Sequence, residues 1–318
     1  MTVATPPVPG VHLVDTALGD RLSTLVRFTG TDAVLQLDAG VDGTTSSAVL
    51  PALESAGRRP EEVRHVVVSH CDVDHFGGVA DAAQVLPRAA VVAHEADAGA
   101  IEDYAVYEAE RARGFRERYG WDEDPAVLEW CRSVTRSGAV HRRLTGDADI
   151  DLGDRVLHVI HVPGHTRGHL AVHDPRTGTV AVSDAVLGAA VPLADGSPAF
   201  PPTYRYVADY RVTIDRIERL APERIVTAHY GTFTGPDAEG FLQSSRRFVG
   251  RLEELVLADL SRNGASSLAA VLARINPLAG EWPAEGTEGA LAFPVVGHLE
   301  DLETRGLVTE EAGQWEAA

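Results

Sequence analysis

The chain has 318 residues, enough to bury a full core and to form one large domain or two. Its formal net charge is −19 with a pI near 5.0, so a polyanionic partner such as nucleic acid is disfavoured; all 28 of its Lys/Arg residues are arginine, from which no chemistry is drawn. The sequence has no apolar run of the roughly 18 residues that a membrane span needs. The Pro-rich stretch Met1 to Gly10 lacks a signal-peptide core, and two cysteines, Cys71 and Cys131, make no disulfide framework. The expected setting is a reducing cytoplasm, with no membrane contact.

Taken in order, His12 to Gly40 holds three short apolar strands separated by turns at Gly19-Asp20 and Gly30-Thr31-Asp32. Thr45 to Gly57 has helical spacing and a glycine stop. The β-branched run Val63 to Ser69 predicts a buried strand. It leads into His70-Cys71-Asp72-Val73-Asp74-His75, and then through Gly77-Gly78 into a helix over Val79 to Leu86. Side chains able to bind a metal are thus crowded into a loop at the C-terminal end of a strand, where fixed backbone can aim them at one point. Asp97 to about Arg136 is helical and strongly charged, with Trp121 and Trp130 in its second part. It reads either as an insertion over the mouth of a site or as a solvated helical hairpin.

Leu144 to Asp154 carries Asp147, Asp149, Asp151 and Asp154 in turns, where solvation explains them. The strand Val156 to His161 is followed by Val162-Pro163-Gly164-His165-Thr166-Arg167-Gly168-His169. Val180 to Ser183 ends in Asp184, and Ile225 to Ala228 ends in His229. Four strand ends therefore carry His or Asp before a turn, which is how a rigid scaffold assembles a metal site. Imidazole with carboxylate suits zinc, iron or manganese. Taken singly, the other histidines (His65, His94, His141, His158, His161, His173 and His298) read as ordinary core or surface residues.

In order and spacing these motifs resemble the metallo-β-lactamase superfamily, whose usual signature is His-x-His-x-Asp-His, a distant Gly-His, an Asp after a strand and a last His. The likeness runs from about His12 to about Gly235. It implies an α+β chain built as a four-layer αββα sandwich. Residues 1–236 would form the catalytic domain, with the helical insertion at about 97–136. It also implies two divalent metal ions, zinc first, with iron or manganese as alternatives. His70 and His165 would bind the first metal, Asp74, His75 and His229 the second, and Asp184 would bridge both. Asp38 and His169 would support these ligands from behind. Asp72 departs from the pattern, standing where the family has its second histidine. It is expected to bind the first metal through one oxygen, adding negative charge that favours manganese or iron. Asp72→His would then raise the preference for zinc. Cys71 is expected to point away from the metals.

From about 237 to 318 the character changes. Phe248 to Leu260, Ser266 to Ile275 and Gly289 to Gly306 are helical patterns, and Leu307-Val308-Thr309 with Gly313 to Ala317 reads as a hairpin. The order resembles the winged-helix-like extension of some hydrolases of the superfamily. Its acidity points to packing against the catalytic domain, or to a homodimer contact, rather than to nucleic acid. The resemblance, with the glyoxalase II-like branch foremost, implies a hydrolase in which a dinuclear metal-activated water attacks a small acyl substrate, a thioester or lactone. Asp74 would act as the catalytic residue steering that water. The alternative is a di-iron redox protein of the same fold, and a nuclease or phosphodiesterase ranks lower on charge.

Overall fold

The computed structural model describes residues 8–318, so most of the Met1 to Gly10 stretch lies outside it. Two six-stranded sheets face each other. The first holds β1 (Val11–Leu18), β2 (Arg21–Thr29), β3 (Val34–Leu37), β4 (Val63–Val67), β5 (Ala90–His94) and β6 (Arg142–Leu144) in that spatial order. It is antiparallel through β3 and parallel from β3 onward. The second holds β7 (Ala148–Asp151), β8 (Val156–His161), β9 (Leu170–Asp174), β10 (Thr179–Ser183), β13 (Arg224–Thr227) and β14 (Thr232–Thr234), with β10 and β13 parallel. A small ribbon, β11 (Val191–Pro192) with β12 (Pro198–Phe200), lies between β10 and β13 in the chain.

The β-branched runs of the sequence follow from this layering, because both faces of each sheet are covered. Alternate residues along a strand point to opposite sides. Leu35, Val67 and Val92 therefore meet Val159, Val172, Ala181 and Val226 between the sheets. Their neighbours Val34, Val66 and Val91 face outward against Leu53, Val79, Ala82 and Ile101. Those outer residues belong to α1 (Leu50–Ser55), α3 (Val79–Val85) and α4 (Glu95–Glu102), while α2 (Val73–Phe76) is the short turn after the His70 loop. On the far side Val180, Val182 and Ile225 pack against Val207, Tyr210, Ile214 and Ile217 of α8 (Val207–Arg219). The result is the four-layer αββα sandwich. The insertion forms α5 (Tyr104–Tyr107), a π-turn over Glu108–Ala112, α6 (Arg116–Tyr119) and α7 (Pro125–Ser133).

The C-terminal region runs α9 (Pro236–Asn263), β15 (Ser266–Ser267), α10 (Leu268–Ala279), α11 (Glu288–Thr304), β16 (Val308–Glu311) and β17 (Gln314–Ala317), with sheet order β15-β17-β16. That is the winged-helix-like arrangement. The first helix begins at Pro236, well before the Phe248 expected from the apolar pattern. Pro236 occupies a first-turn position that suits proline. Ala238, Phe241, Leu242 and Ser245 extend the buried stripe, and exposed Gly240 hid it. In a helix-turn-helix, α11 would be the element offered to a DNA groove. Here Leu291, Val295, Val296 and Leu299 of α11 share one apolar core with Val162, Val182 and Ile214 of the sandwich.

His298 of α11 is fully buried in that junction, and its Nε2 pairs with the Tyr204 hydroxyl at 2.9 Å. Burial, helped by the Arg211 charge, pushes its pKa from 6.5 down to about 3. The unfolded chain therefore takes up a proton between these values that the folded chain excludes. Stability from this group is intact above pH 6.5 and is lost as pH falls toward 3, by up to about 1.4 kcal/mol per pH unit. Urea midpoints measured from pH 7.5 to 4.5 should fall more steeply for the wild type than for His298→Gln. Parallel slopes would show that this histidine does not couple folding to protons.

Candidate metal centre

All five strand ends that matter open on one side of the sandwich. Asp38 follows β3, the His70–His75 segment follows β4, His165 follows β8, Asp184 follows β10 and His229 follows β13. Gly164 makes the turn before His165 with φ +141°, and a Cβ there would run into the backbone of Tyr210. Two non-glycine residues at these ends, Asp38 and Ser183, hold positive φ of 65° and 49°. Such conformations persist where the surroundings enforce them, often at functional sites.

Ligand-type atoms gather into three overlapping groups, each spanning no more than 4.8 Å: His70, Asp72 and His165; Asp74, His75 and His229; and His70, His75 and Asp184. Asp184 Oδ2 lies 3.9 Å from His70 Nε2, 3.5 Å from His75 Nε2 and 3.4 Å from His229 Nε2, so it stands between the two outer groups. All seven residues singled out as ligands are therefore brought together. Asp72 reaches the centre despite its short side chain, with Oδ2 2.8 Å from His165 Nε2 and 3.6 Å from His70 Nε2. Cys71 turns away into the apolar layer outside the first sheet.

Three imidazoles are anchored through Nδ1 so that Nε2 faces inward. His75 Nδ1 pairs with Asp38 Oδ2 at 2.9 Å, His70 Nδ1 with Ser69 Oγ at 2.9 Å, and His229 Nδ1 with the Leu22 carbonyl at 2.9 Å. This is the outer support that orients imidazole ligands. Asp38 sits behind His75 as expected. His169 stacks on His70 at 4.5 Å between ring centroids, and neither of its ring nitrogens has a hydrogen-bond partner.

Several residues that matter here were not visible in the sequence. Asp97, buried at the start of α4, takes hydrogen bonds from the Cys71 amide (3.2 Å), the Thr166 hydroxyl (2.6 Å) and the Gly168 amide (2.8 Å), which clamps the His70 and His165 loops together. Arg111, from the π-turn of the insertion, forks onto both oxygens of Asp72 at 2.8 and 2.9 Å. Phe293 of α11 covers the Arg111 guanidinium at 4.2 Å. Only side chains far apart in sequence could have signalled these contacts.

The residues fit metal ions. His70 Nε2, His75 Nε2 and Asp184 Oδ1 are buried and have no hydrogen-bond partner, a costly arrangement unless a cation satisfies them. Burial opposes a proton on His75, yet Asp74, Asp38 and Asp184 outweigh it and raise its pKa well above the ordinary value. His229 is raised likewise, mainly by Asp184 against burial. This half of the centre draws positive charge.

A four-layer sandwich with overlapping His/Asp groups at its strand ends defines a metallo-hydrolase scaffold. The sequence profile of the metallo-beta-lactamase superfamily matches residues 17–229, and the chain belongs to that superfamily. It is 31% identical to the human acyl-coenzyme A thioesterase MBLAC2 over 229 residues, covering 66% of this chain and 72% of that one. The chicken protein of the same name is 30% identical over 223 residues, with the same coverage. A metallo-beta-lactamase family protein from Thermus thermophilus shares the fold over 98% of this chain and 99% of its own, with TM-score 0.76 and 18% identity. Among the described residues, no helix is long and apolar enough to cross a membrane.

Two substitutions test the centre. Asp184→Asn should lose most bound zinc per chain, by elemental analysis, while keeping the wild-type circular dichroism; full metal content would remove Asp184 from its central place. Asp97→Ala leaves buried donors unpaired and should cost on the order of 3 kcal/mol in chemical unfolding. A loss under a few tenths would show that the clamp is unimportant.

Proposed function

We propose that this protein hydrolyses a thioester of an apolar acyl group at a dinuclear metal centre. The observation that carries the reading is a cavity of about 590 Å³ with Asp72, Asp74, Asp184 and His229 among its lining and mostly apolar walls. Leu18, Val127, Trp130, Val191, Leu193 and Phe293 belong to that lining. An acyl chain fits such walls, whereas a nucleic-acid backbone has little there to hold it. The relatives named as thioesterases, similar over two thirds of the chain, support the same choice.

His70, Asp72 and His165 would hold one cation, Asp74, His75 and His229 the other, and Asp184 would face both. Bound divalent ions supply Lewis acidity and bring the pKa of a water toward neutrality. Asp74, in the cavity wall, orients the attacking water and can take up its proton. A thiol with a pKa near about 8.5 departs as thiolate without a dedicated acid, which suits a site whose lining is dominated by carboxylates and apolar groups. The insertion and the C-terminal region close the cavity from two sides, through Tyr107, Val127 and Trp130 on one and Ala290 and Phe293 on the other.

Released thiol should be measured against a panel of acyl thioesters from two to sixteen carbons, beside lactones and a β-lactam. Thioesters should be turned over at least tenfold faster in kcat/KM, with a preference for apolar acyl groups. Faster lactone hydrolysis would overturn the leaving-group assignment while keeping the metal centre. Trp130→Ala should raise KM for the longer acyl groups by roughly tenfold, in line with the loss of an aromatic contact, and affect the acetyl thioester less. An equal loss for all chain lengths would move the acyl seat elsewhere.

A further inference from the structure

Asp72 stands where the superfamily signature has a histidine, and a neutral ligand has thereby become an anionic one. The structure adds a cation beside it. Arg111 Nε donates to Asp72 Oδ1 at 2.8 Å and Nη2 donates to Oδ2 at 2.9 Å, a bidentate fork. Nη2 is also 3.4 Å from His165 Nε2, and Nη1 donates to the His165 carbonyl at 3.4 Å. The Arg111 side chain is only 11% exposed, and its guanidinium is roofed by the Phe293 ring. Arg111 cannot lose its charge and cannot turn to water without breaking these contacts.

We infer that Asp72 and Arg111 together replace the missing histidine, with Asp72 offering one oxygen to the first metal and Arg111 cancelling the charge that this oxygen adds. The inference rests on the metal-centre reading above. Arg111 is a positioning residue. It holds the carboxylate plane so that Oδ2 stays beside His70 and His165, and it returns the net charge of the ligand set to that of the common motif. The pair is coupled in sign, since either residue without the other leaves an uncompensated charge beside a cation site of low exposure. The consequence concerns affinity, where the sequence alone spoke only to metal preference. Restoring histidine at position 72 while Arg111 remains would put a fixed positive charge a few ångströms from the cation, so the repaired motif should bind metal worse.

The test is a zinc titration of metal-free protein against a chromophoric chelator, with cobalt(II) absorbance reporting the ligand field of each site. Wild type should take two ions per chain. Asp72→His should weaken the first site at least tenfold and leave the second within about threefold of wild type. Asp72→His combined with Arg111→Gln should recover the first site to within about threefold. Asp72→Asn, and its double variant with Arg111→Gln, repeats the comparison with a smaller side chain should the histidine not pack, and thermal melts confirm folding. Undiminished zinc affinity in Asp72→His, or a double variant no better than the single, would overturn the role of Arg111 while the metal centre stands. A wild type that takes up no metal would overturn the metal centre itself.

Discussion

The centre depends on one buried carboxylate. Asp38 accepts the Ser69 amide on Oδ1 at 2.7 Å, and its Oδ2 holds His75 Nδ1 at 2.9 Å and the Ser183 hydroxyl at 3.1 Å. Those contacts join the ends of β3, β4 and β10, and so both sheets, to the first turn of α2. Burial would push this carboxyl up, but His75 and the hydrogen bonds hold it below the ordinary range, so it stays an anion inside the protein. A buried anion is tolerable only when fully paired. The pairing therefore fixes more than one ligand at once. Asp38 adopts φ of 65° to make these contacts, and its amide is tied to the Val67 carbonyl at 2.8 Å. The strain is sustained by the sandwich around it, whose parallel strands deliver their C-terminal ends to the same rim.

The rest of the chain finishes what the sandwich starts. The insertion contributes Arg111, Tyr107 and Trp130, and the C-terminal region contributes Phe293, so the centre is walled by elements that share no sheet with it. The C-terminal region cannot act as a loose appendage, because α11 buries its apolar face in the same core as α8 and β10. Ion pairs reinforce the junction: Arg205 forks onto Glu300 at 2.7 and 2.8 Å, and Glu253 takes Arg211 and Arg305. Removing this region would expose the apolar face of α8 and release the roof over Arg111.

The sequence singled out the residues that the fold gathers here because each one follows a strand written in β-branched residues, and strand ends are local features. His70, Asp74, His75, His165, Asp184 and His229 could be read without knowing how the strands pair. The sandwich and the winged-helix-like order were legible for the same reason, with the start of α9 displaced by a glycine on its exposed side. Asp97 and Arg111 were not legible. Each lies in a charged helical stretch where a solvated face is the ordinary explanation, and each acts on a partner that the fold alone brings near: Thr166 for Asp97 and Asp72 for Arg111. Asp72 shows the boundary well. Its oddity was plain in the sequence, but its compensation lay 39 positions away.

That compensation makes the two halves of the centre electrostatically unlike. Around His75 and His229, the carboxylates Asp38, Asp74 and Asp184 outweigh burial and raise the imidazole pKa values. Around His165, burial and the neighbouring His70 lower it, and Arg111 adds to that lowering while Asp72 opposes it. His169 is lowered further still by burial, His70 and His165. What the His165 half offers is geometry: His70 anchored by Ser69, an Asp72 carboxylate held in plane by Arg111, and Asp184 beside the middle of the centre. The chain's overall charge of −19 matters little to this balance, since exposed charges beyond about 8 Å are screened at physiological salt. What sets this asymmetry is the placement of a few buried groups within bonding reach of one another.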